Sequence, residues 1–456
     1  MRRPASIVGL TLLLLRRRSG LARAVVAVGA AVATLGVGAA LHVRHRPAPA
    51  AIHFAGGTCA RSGATCFTDA QCGAVDRCSS APGIDAALGG VRALGTTLLV
   101  TPVLVADGDG FAAAWSAVDD ETADVWFARL DARGRKRGAP VRITRGGGVR
   151  VRPRLARSSQ GFGLGWIVVR EDGLASEFVR LDANGRPQGA PAPVGSGEVV
   201  LLSDVAVAGD LYGVAYATLT PDRFFTLQLL RMGLDGRPAG EPAVVAQDQI
   251  VLGTMGLAPT SRAWVYAWNH SDPRTERAET KAALVYPDGR SGTLPRLDAH
   301  AGLNGSTAAA NGPGASSVVW EDGLVDSGDG TPRNGLVFGG FAEGGAPIAP
   351  RLLGDRTALS IQPSLAAWGN AFAVASTRIA DEAPSARLLR VRPDGTAMGA
   401  PITLEGRASV GAFPSVVAAG DGIAVSWMQI GATGSTLRFA RYGADGKRVG
   451  GDVSFP

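Results

Sequence analysis

Seven copies of one short pattern dominate this chain of 456 residues. A glycine-centred turn recurs at Gly134, Gly185, Gly236, Gly289, Gly345, Gly395 and Gly446, at intervals of 51, 51, 53, 56, 50 and 51 residues. Its flanking text recurs too, as LDARGRKRGAP, LDANGRPQGAP, VRPDGTAMGAP and YGADGKRVGGD. A unit of about fifty residues with several short strands cannot bury both its faces alone, so the units must cover one another. The repeat therefore predicts an all-β fold, a seven-bladed β-propeller of four-stranded antiparallel blades spanning 97–456.

The last copy serves as the template. FPSVVAAG (413–420) reads as a first strand, IAVSWM (423–428) as a second, TLRFARYG (436–443) as a third and GGDVSF (450–455) as a fourth, separated by glycine-bearing turns. Pro102, Pro153, Pro363 and Pro414 share one place in the first strand, and proline there implies a strand start, where no ladder N–H is required. An aromatic closes the second strand at Trp115, Trp166, Tyr216, Trp268, Trp320 and Trp427; the sixth copy, AFAVASTR (371–378), lacks it. These aromatics are expected to pack between blades, because duplicated blades repeat structural positions whereas a binding site breaks the repetition.

Before the repeats comes a segment of different character. Residues 1–46 hold eight arginines and no acid, which exceeds the formal net charge of +7, so the rest of the chain sums to −1. A nucleic-acid footprint is therefore not expected over the ring. Residues 24–43 are a 20-residue apolar run preceded by six arginines. That length spans a bilayer core as a helix, and the charge asymmetry keeps the N-terminus cytoplasmic and exports the remainder. The run serves either as a membrane anchor or as a signal peptide cleaved near Ala48-Pro49-Ala50. The expected location is the cell envelope or the exterior.

All four cysteines, Cys59, Cys66, Cys72 and Cys78, lie in the linker 47–96. An even cluster behind an export signal reads as two disulfides, with three pairings open. No histidine and no C-x-x-C interleaves them, which disfavours zinc.

Chemistry is sparser. In a blade of this order the loops from second to third strand share a face with the connections between blades, and these loops are acidic. Asp119, Asp120, Glu171, Asp172, Glu321, Asp322 and Asp381 are the ligand-binding candidates, on a rim suited to Ca²⁺, a basic peptide or sugar hydroxyls. The opposite face carries basic turns such as Arg133-Gly134-Arg135-Lys136-Arg137. No catalytic residue is assigned and no metal set is recognised: G-x-S-x-G, H-E-x-x-H and the phosphate-binding loop are absent from the sequence. His270, beside Asp272, is the one ring histidine on a face loop next to an acid.

The repeat text and the stretch C-F-T-D-A-Q-C resemble exported propeller repeat proteins of the myxobacterial type, with a short Cys-rich N-terminal segment. That resemblance implies the fold and export but no activity. The leading expectation is a monomeric, exported or membrane-anchored module that binds a protein, peptide or polysaccharide, with Ca²⁺ as the one cofactor considered. The alternatives are a carbohydrate-active hydrolase or lyase using carboxylates of the acidic face, and a structural component of the envelope.

Overall fold

The computed structural model describes residues 57–59, 65–66, 78–80 and 98–455, the last stretch apart from 120–121, 147, 171–172, 223, 252, 273–276, 302–303, 327–331, 381–382, 406–409 and 432–433. From residue 98 onward it forms seven antiparallel sheets of four consecutive strands each, over 98–142, 149–193, 200–249, 256–301, 307–352, 359–403 and 410–455. These are blades 1 to 7. Two details depart from strict repetition. Blades 1 and 2 share a single parallel bridge, Ala123 to Val149. In blade 4 the outer strand is split, so that Ser291–Thr293 and Asp298–Ala301 both pair with Arg277–Val285.

The first strand of every blade lies against the first strand of the next, and Val410–Ala419 of blade 7 lies against Leu98–Asp107 of blade 1. The first strands thus form a closed inner ring. Seven apolar cores tell the same story, since each is built from two adjacent blades, the seventh from blades 7 and 1. Strand alternation explains how one blade serves two cores. In blade 1, Phe111 and Ala113 face blade 7 while Ala112 and Ala114 face blade 2. The chain is a β-propeller.

An aromatic clasp repeats at the interfaces. A third-strand ring of one blade meets the ring that opens the second strand of the next: Phe439 with Phe111, Phe127 with Phe162, Phe178 with Tyr212 and Phe338 with Phe372, at centroid separations of 5.0–5.6 Å. Tilted pairs of this kind add about 0.5–1.5 kcal/mol beyond their buried area. The recurrent second-strand aromatics lie inside their strands rather than at the ends, Trp115 being sixth in Gly110–Asp119 and Trp166 sixth in Gly161–Arg170, and they behave as expected of packing residues. Trp166, Tyr216, Trp268, Trp320 and Trp427 are buried, and only Trp115 keeps partial exposure.

The repeated prolines do not start strands. Pro102, Pro153, Pro363 and Pro414 are each the fifth residue of a ten-residue first strand. Each sits in a register shift against the second strand, between Val100 and Val103, Val151 and Arg154, Ile361 and Ser364, and Ala412 and Ser415. A bulge leaves a residue out of the ladder, so the missing proline N–H costs nothing there. The residue before it takes a left-handed backbone at Arg152, Gln362 and Phe413, with φ of 55°, 53° and 54°.

The apolar run 24–43 lies outside the described residues. Among the described residues, no helix is long and apolar enough to cross a membrane. In the linker, Gly57–Cys59, Thr65–Cys66 and Cys78–Ser80 form a small three-stranded sheet whose register sets Cys59 opposite Cys78. Cys72 lies outside the described residues.

Candidate functional site

The acidic candidates divide into those that can be placed and those that cannot. Asp120, Glu171, Asp172 and Asp381 lie outside the described residues, and Asp119 is the last residue of its strand, Gly110–Asp119. Glu321 and Asp322 are not on a loop. They lie within the long second strand of blade 5, Ala315–Asp326, and are 2% and 1% exposed. Asp322 pairs with the Arg356 guanidinium, which also donates to its backbone carbonyl at 3.2 Å. Glu321 accepts the backbone N–H of the bulge residue Gln362 at 2.7 Å. Burial pushes the Glu321 carboxyl up to about 8, opposed by hydrogen bonds from Gln362 and Ser306. It is therefore a neutral, bonded group near pH 7, a pin between blades 5 and 6.

Other acids near the same face are also committed. Asp124 is buried in the third strand of blade 1 and held by Arg142, Arg150 and the Thr144 hydroxyl. Glu177 accepts the Trp166 indole N–H at 2.9 Å. Glu279 pairs with Lys281 and Arg296, and their hydrogen bonds and charge hold it below its usual range. Arginines from the outer strands and blade connections (Arg142, Arg296 and Arg356) thus neutralise acids of their own blades. Arg150, Arg152 and Arg154 belong instead to the first strand of blade 2, Val149–Ser158. The contrast between an acidic and a basic face is correspondingly reduced. His270 lies in a strand, Trp264–Asp272, where its Nδ1 accepts the Ile250 N–H at 3.3 Å. Among the described residues no group of three or more His, Cys, Asp or Glu could hold a metal ion.

The inner ring has its own polar rule. The residue after the bulge reaches the N–H of the following blade's first strand: Asp204 Oδ2 accepts from Leu257 at 3.3 Å, Ser364 Oγ from Val416 at 3.1 Å and Ser415 Oγ from Leu104 at 3.4 Å. In blade 2 that place is taken by Arg154, whose Nε donates to the Ser203 carbonyl at 2.7 Å. Burial lowers the Arg154 pKa and raises that of Asp204, each against the attraction of the other.

Blade 1 breaks the repetition on its outer side. Trp115, Trp126 and Arg142 are successive cross-strand partners in its second, third and fourth strands, so they share one side of the sheet. The third-strand place held here by Trp126 is held by Glu177, Gln228, Lys281, Val337, Arg387 and Arg438 in the other blades. Trp126 is half-buried, and with Pro140, Val141, Arg142 and Arg145 it lines an open depression of about 630 Å³. An indole beside a proline and two arginines can stack on a sugar ring or a peptide side chain, while Arg145, which pairs with no acid among the described residues, can meet an anionic group. Sequence reading ranked the aromatics by their recurrence at the second strand and so passed over Trp126. The signal that finds it is a tryptophan at a place where no other copy has one.

No protein-family model matches the chain, and no curated protein matches it in sequence. Solved structures with similar architecture are propellers and their relatives. The β-propeller domain of the Trilobed protease from Pyrococcus furiosus, which has an open velcro topology, is 8% identical; the match covers 79% of this chain and 97% of that one, with a TM-score of 0.46. Hydrazine synthase of Kuenenia stuttgartiensis is 13% identical over 75% of this chain and 96% of that one, TM-score 0.48. Oligopeptidase B from Trypanosoma brucei is 10% identical over 80% and 50%, TM-score 0.45.

Proposed function

We propose that this protein is an exported binding module whose propeller presents a ligand platform on the outer edge of blade 1. The observation that carries the reading is the half-exposed Trp126 in an open depression with Pro140, Arg142 and Arg145, at a position where the other six blades place no aromatic. The ligand class that fits is an extended polymer, a polysaccharide or a peptide, gripped by stacking on the indole and by the Arg145 charge. Binding is favoured over hydrolysis because Asp124, Glu177, Glu321 and Asp322 are engaged as structural partners. Export through the apolar leader belongs to the same proposal, as does a disulfide-bonded linker. The backbone register sets Cys59 opposite Cys78, and the three pairings of the four cysteines stay open. A denatured, unreduced sample is then expected to show no free thiol.

The decisive test is a screen of the full-length protein on glycan and peptide arrays, with and without EDTA, beside Trp126→Ala. The expected outcome is a hit that weakens at least tenfold in Trp126→Ala, at unchanged melting temperature, and survives EDTA. Equal binding by both proteins would remove the platform from the reading. Loss with EDTA would move the site to a Ca²⁺-dependent acidic rim. Turnover of an arrayed polysaccharide would favour the hydrolase.

A further inference from the structure

Charge breaks the repetition in the same blade as Trp126. Residues 131–146, the outer turn and outer strand of blade 1, hold six cations, Arg133, Arg135, Lys136, Arg137, Arg142 and Arg145, against one acid, Asp131. The corresponding stretches of the other blades, 182–197, 233–248, 286–301, 342–357, 392–407 and 443–456, each hold one or two cations and at least as many acids. All six cations of blade 1 are exposed. Arg135 pairs with Asp131, Arg137 with Asp109 and Arg142 with the buried Asp124. Arg133, Lys136 and Arg145 pair with no acid among the described residues. The chain beyond residue 46 sums to −1, so the positive edge is a local concentration and not a consequence of composition. Strand register sets these charges in a line. Arg142 is the cross-strand partner of Trp126, and Lys136 bridges Leu130, four residues further along the same strand. At about 3.3 Å per residue the two levels are roughly 13 Å apart. Trp126 and Leu130 face one side of the sheet, and so do the residues opposite them. Arg145 extends the line past Arg142, in the depression that Trp126 lines.

We propose that the outer edge of blade 1 takes an acidic polysaccharide, a chain bearing uronate or sulfate groups, laid from Lys136 to Arg145 with one sugar ring stacked on Trp126. The inference rests on the platform reading above and narrows its ligand. Unpaired cations spread along an edge suit a ligand that repeats its charge, and the guanidinium fork matches a carboxylate or sulfate group. The indole supplies a flat apolar surface for a ring between those charges. A peptide fits this edge less well. Docking by strand addition needs a row of free backbone groups, and the outer strand here is two residues long, Val141–Arg142, behind a proline that has no N–H.

Binding of full-length protein to polygalacturonate, dextran sulfate, neutral dextran, polyglutamate and oligothymidylate, each over a series of salt concentrations, provides the test. Polygalacturonate or dextran sulfate is expected to bind, more weakly as salt rises, and neutral dextran to bind far less. The tighter of the two polyanions names the anionic group. The triple variant Arg133→Ala, Lys136→Ala, Arg145→Ala should weaken that binding roughly tenfold and flatten its salt dependence. Its melting temperature should not change, because Asp131 holds the turn through the backbone N–H groups of residues 133 and 135. Trp126→Ala should weaken binding and leave the salt dependence as it is. Arg237→Ala, at a blade 3 guanidinium that is 89% exposed, should bind as the natural protein does. No binding of either acidic polysaccharide, or equal binding by the natural protein and the triple variant, would overturn the inference. Neutral dextran bound through Trp126 and unaffected in the triple variant would overturn it while keeping the platform. Polyanion binding lost in the triple variant and intact in Trp126→Ala would keep the acidic ligand and remove the platform. Polyglutamate or oligothymidylate bound as tightly as the polysaccharides would overturn the carbohydrate assignment, since the edge would then read charge alone.

Discussion

Glu321 shows how a single residue can change meaning between sequence and fold. In the string VVWEDGLVD an acidic pair after a tryptophan reads as the start of a polar loop. The strand instead continues to Asp326, and the ladder shifts register between Asp322 and Val325, which keeps Glu321 inside the sheet. Nothing in a local hydropathy pattern announces that a neighbouring blade will offer the N–H of Gln362 to that carboxyl. The consequence can be measured. A carboxyl whose pKa rises to about 8 on folding binds a proton that the unfolded chain has already released. Its stabilising effect is complete below the ordinary glutamate range, fades as pH rises from about 4.5, and is gone above about 8. Glu321→Gln keeps the shape and the acceptor while removing the titration. We expect the natural protein to lose on the order of 1–4 kcal/mol between pH 5 and 8, and Glu321→Gln to show a flatter profile and greater stability at pH 8. Denaturant unfolding at a series of pH values checks this; parallel profiles for the two proteins would mean that Glu321 is charged in the fold.

Elements were legible to different depths. The turns between third and fourth strands were read correctly because their requirement is local. All seven glycines have φ between 79° and 92°, a region open to glycine and strained for other residues. In most of these turns an aspartate side chain also accepts the N–H two residues on, as Asp131 does from Arg133, Asp182 from Asn184 and Asp445 from Lys447. The first strands were read less well, since a repeated proline signals an interrupted ladder without saying whether the interruption is an end or a bulge. The glycine turns also touch neighbours, which the sequence does not reveal. A Cβ on Gly185 would run into the Phe127 ring of blade 1, which itself packs on Phe162, whereas a Cβ on Gly446 meets nothing within 4 Å. Their φ values, 82° and 81°, are alike. Both Gly185→Ala and Gly446→Ala therefore carry the same backbone strain, about 1–2 kcal/mol. Gly185→Ala adds a steric cost of roughly 1–3 kcal/mol. Equal losses in chemical denaturation would show that the Phe127 ring moves aside freely.

At the scale of the whole molecule the repeat gave the blade count, but not the way the ring shuts. Each blade is built, among the described residues, from strands consecutive in the chain, and there no strand from one end of the chain completes a blade at the other. Closure rests on side-chain packing between blades 7 and 1. Phe439 stacks on Phe111 at 5.2 Å within a core that includes Leu104, Leu130, Met428 and Leu437. Two hydrogen bonds flank it, from the Leu104 N–H to Ser415 Oγ at 3.4 Å and from Arg441 to the Ala132 carbonyl at 2.9 Å. The other six interfaces have similar cores, yet each is also spanned by a covalent connection. The seam between blades 7 and 1 has none, so a given loss of packing there opens the ring rather than merely loosening it. Phe439→Ala and Phe178→Ala remove the same ring from two otherwise comparable interfaces, the second being the partner of Tyr212 between blades 2 and 3. Each is expected to cost about 3–5 kcal/mol. Their hydrogen-exchange patterns should differ. In Phe439→Ala, amides of Leu98–Asp107 and Val410–Ala419 should lose protection together, at a free energy below that of global unfolding, while blades 3 to 5 stay protected. In Phe178→Ala the loss should stay near blades 2 and 3. If both variants expose all seven blades at once, the seam is no weaker than the joints, and the ring unfolds as one unit.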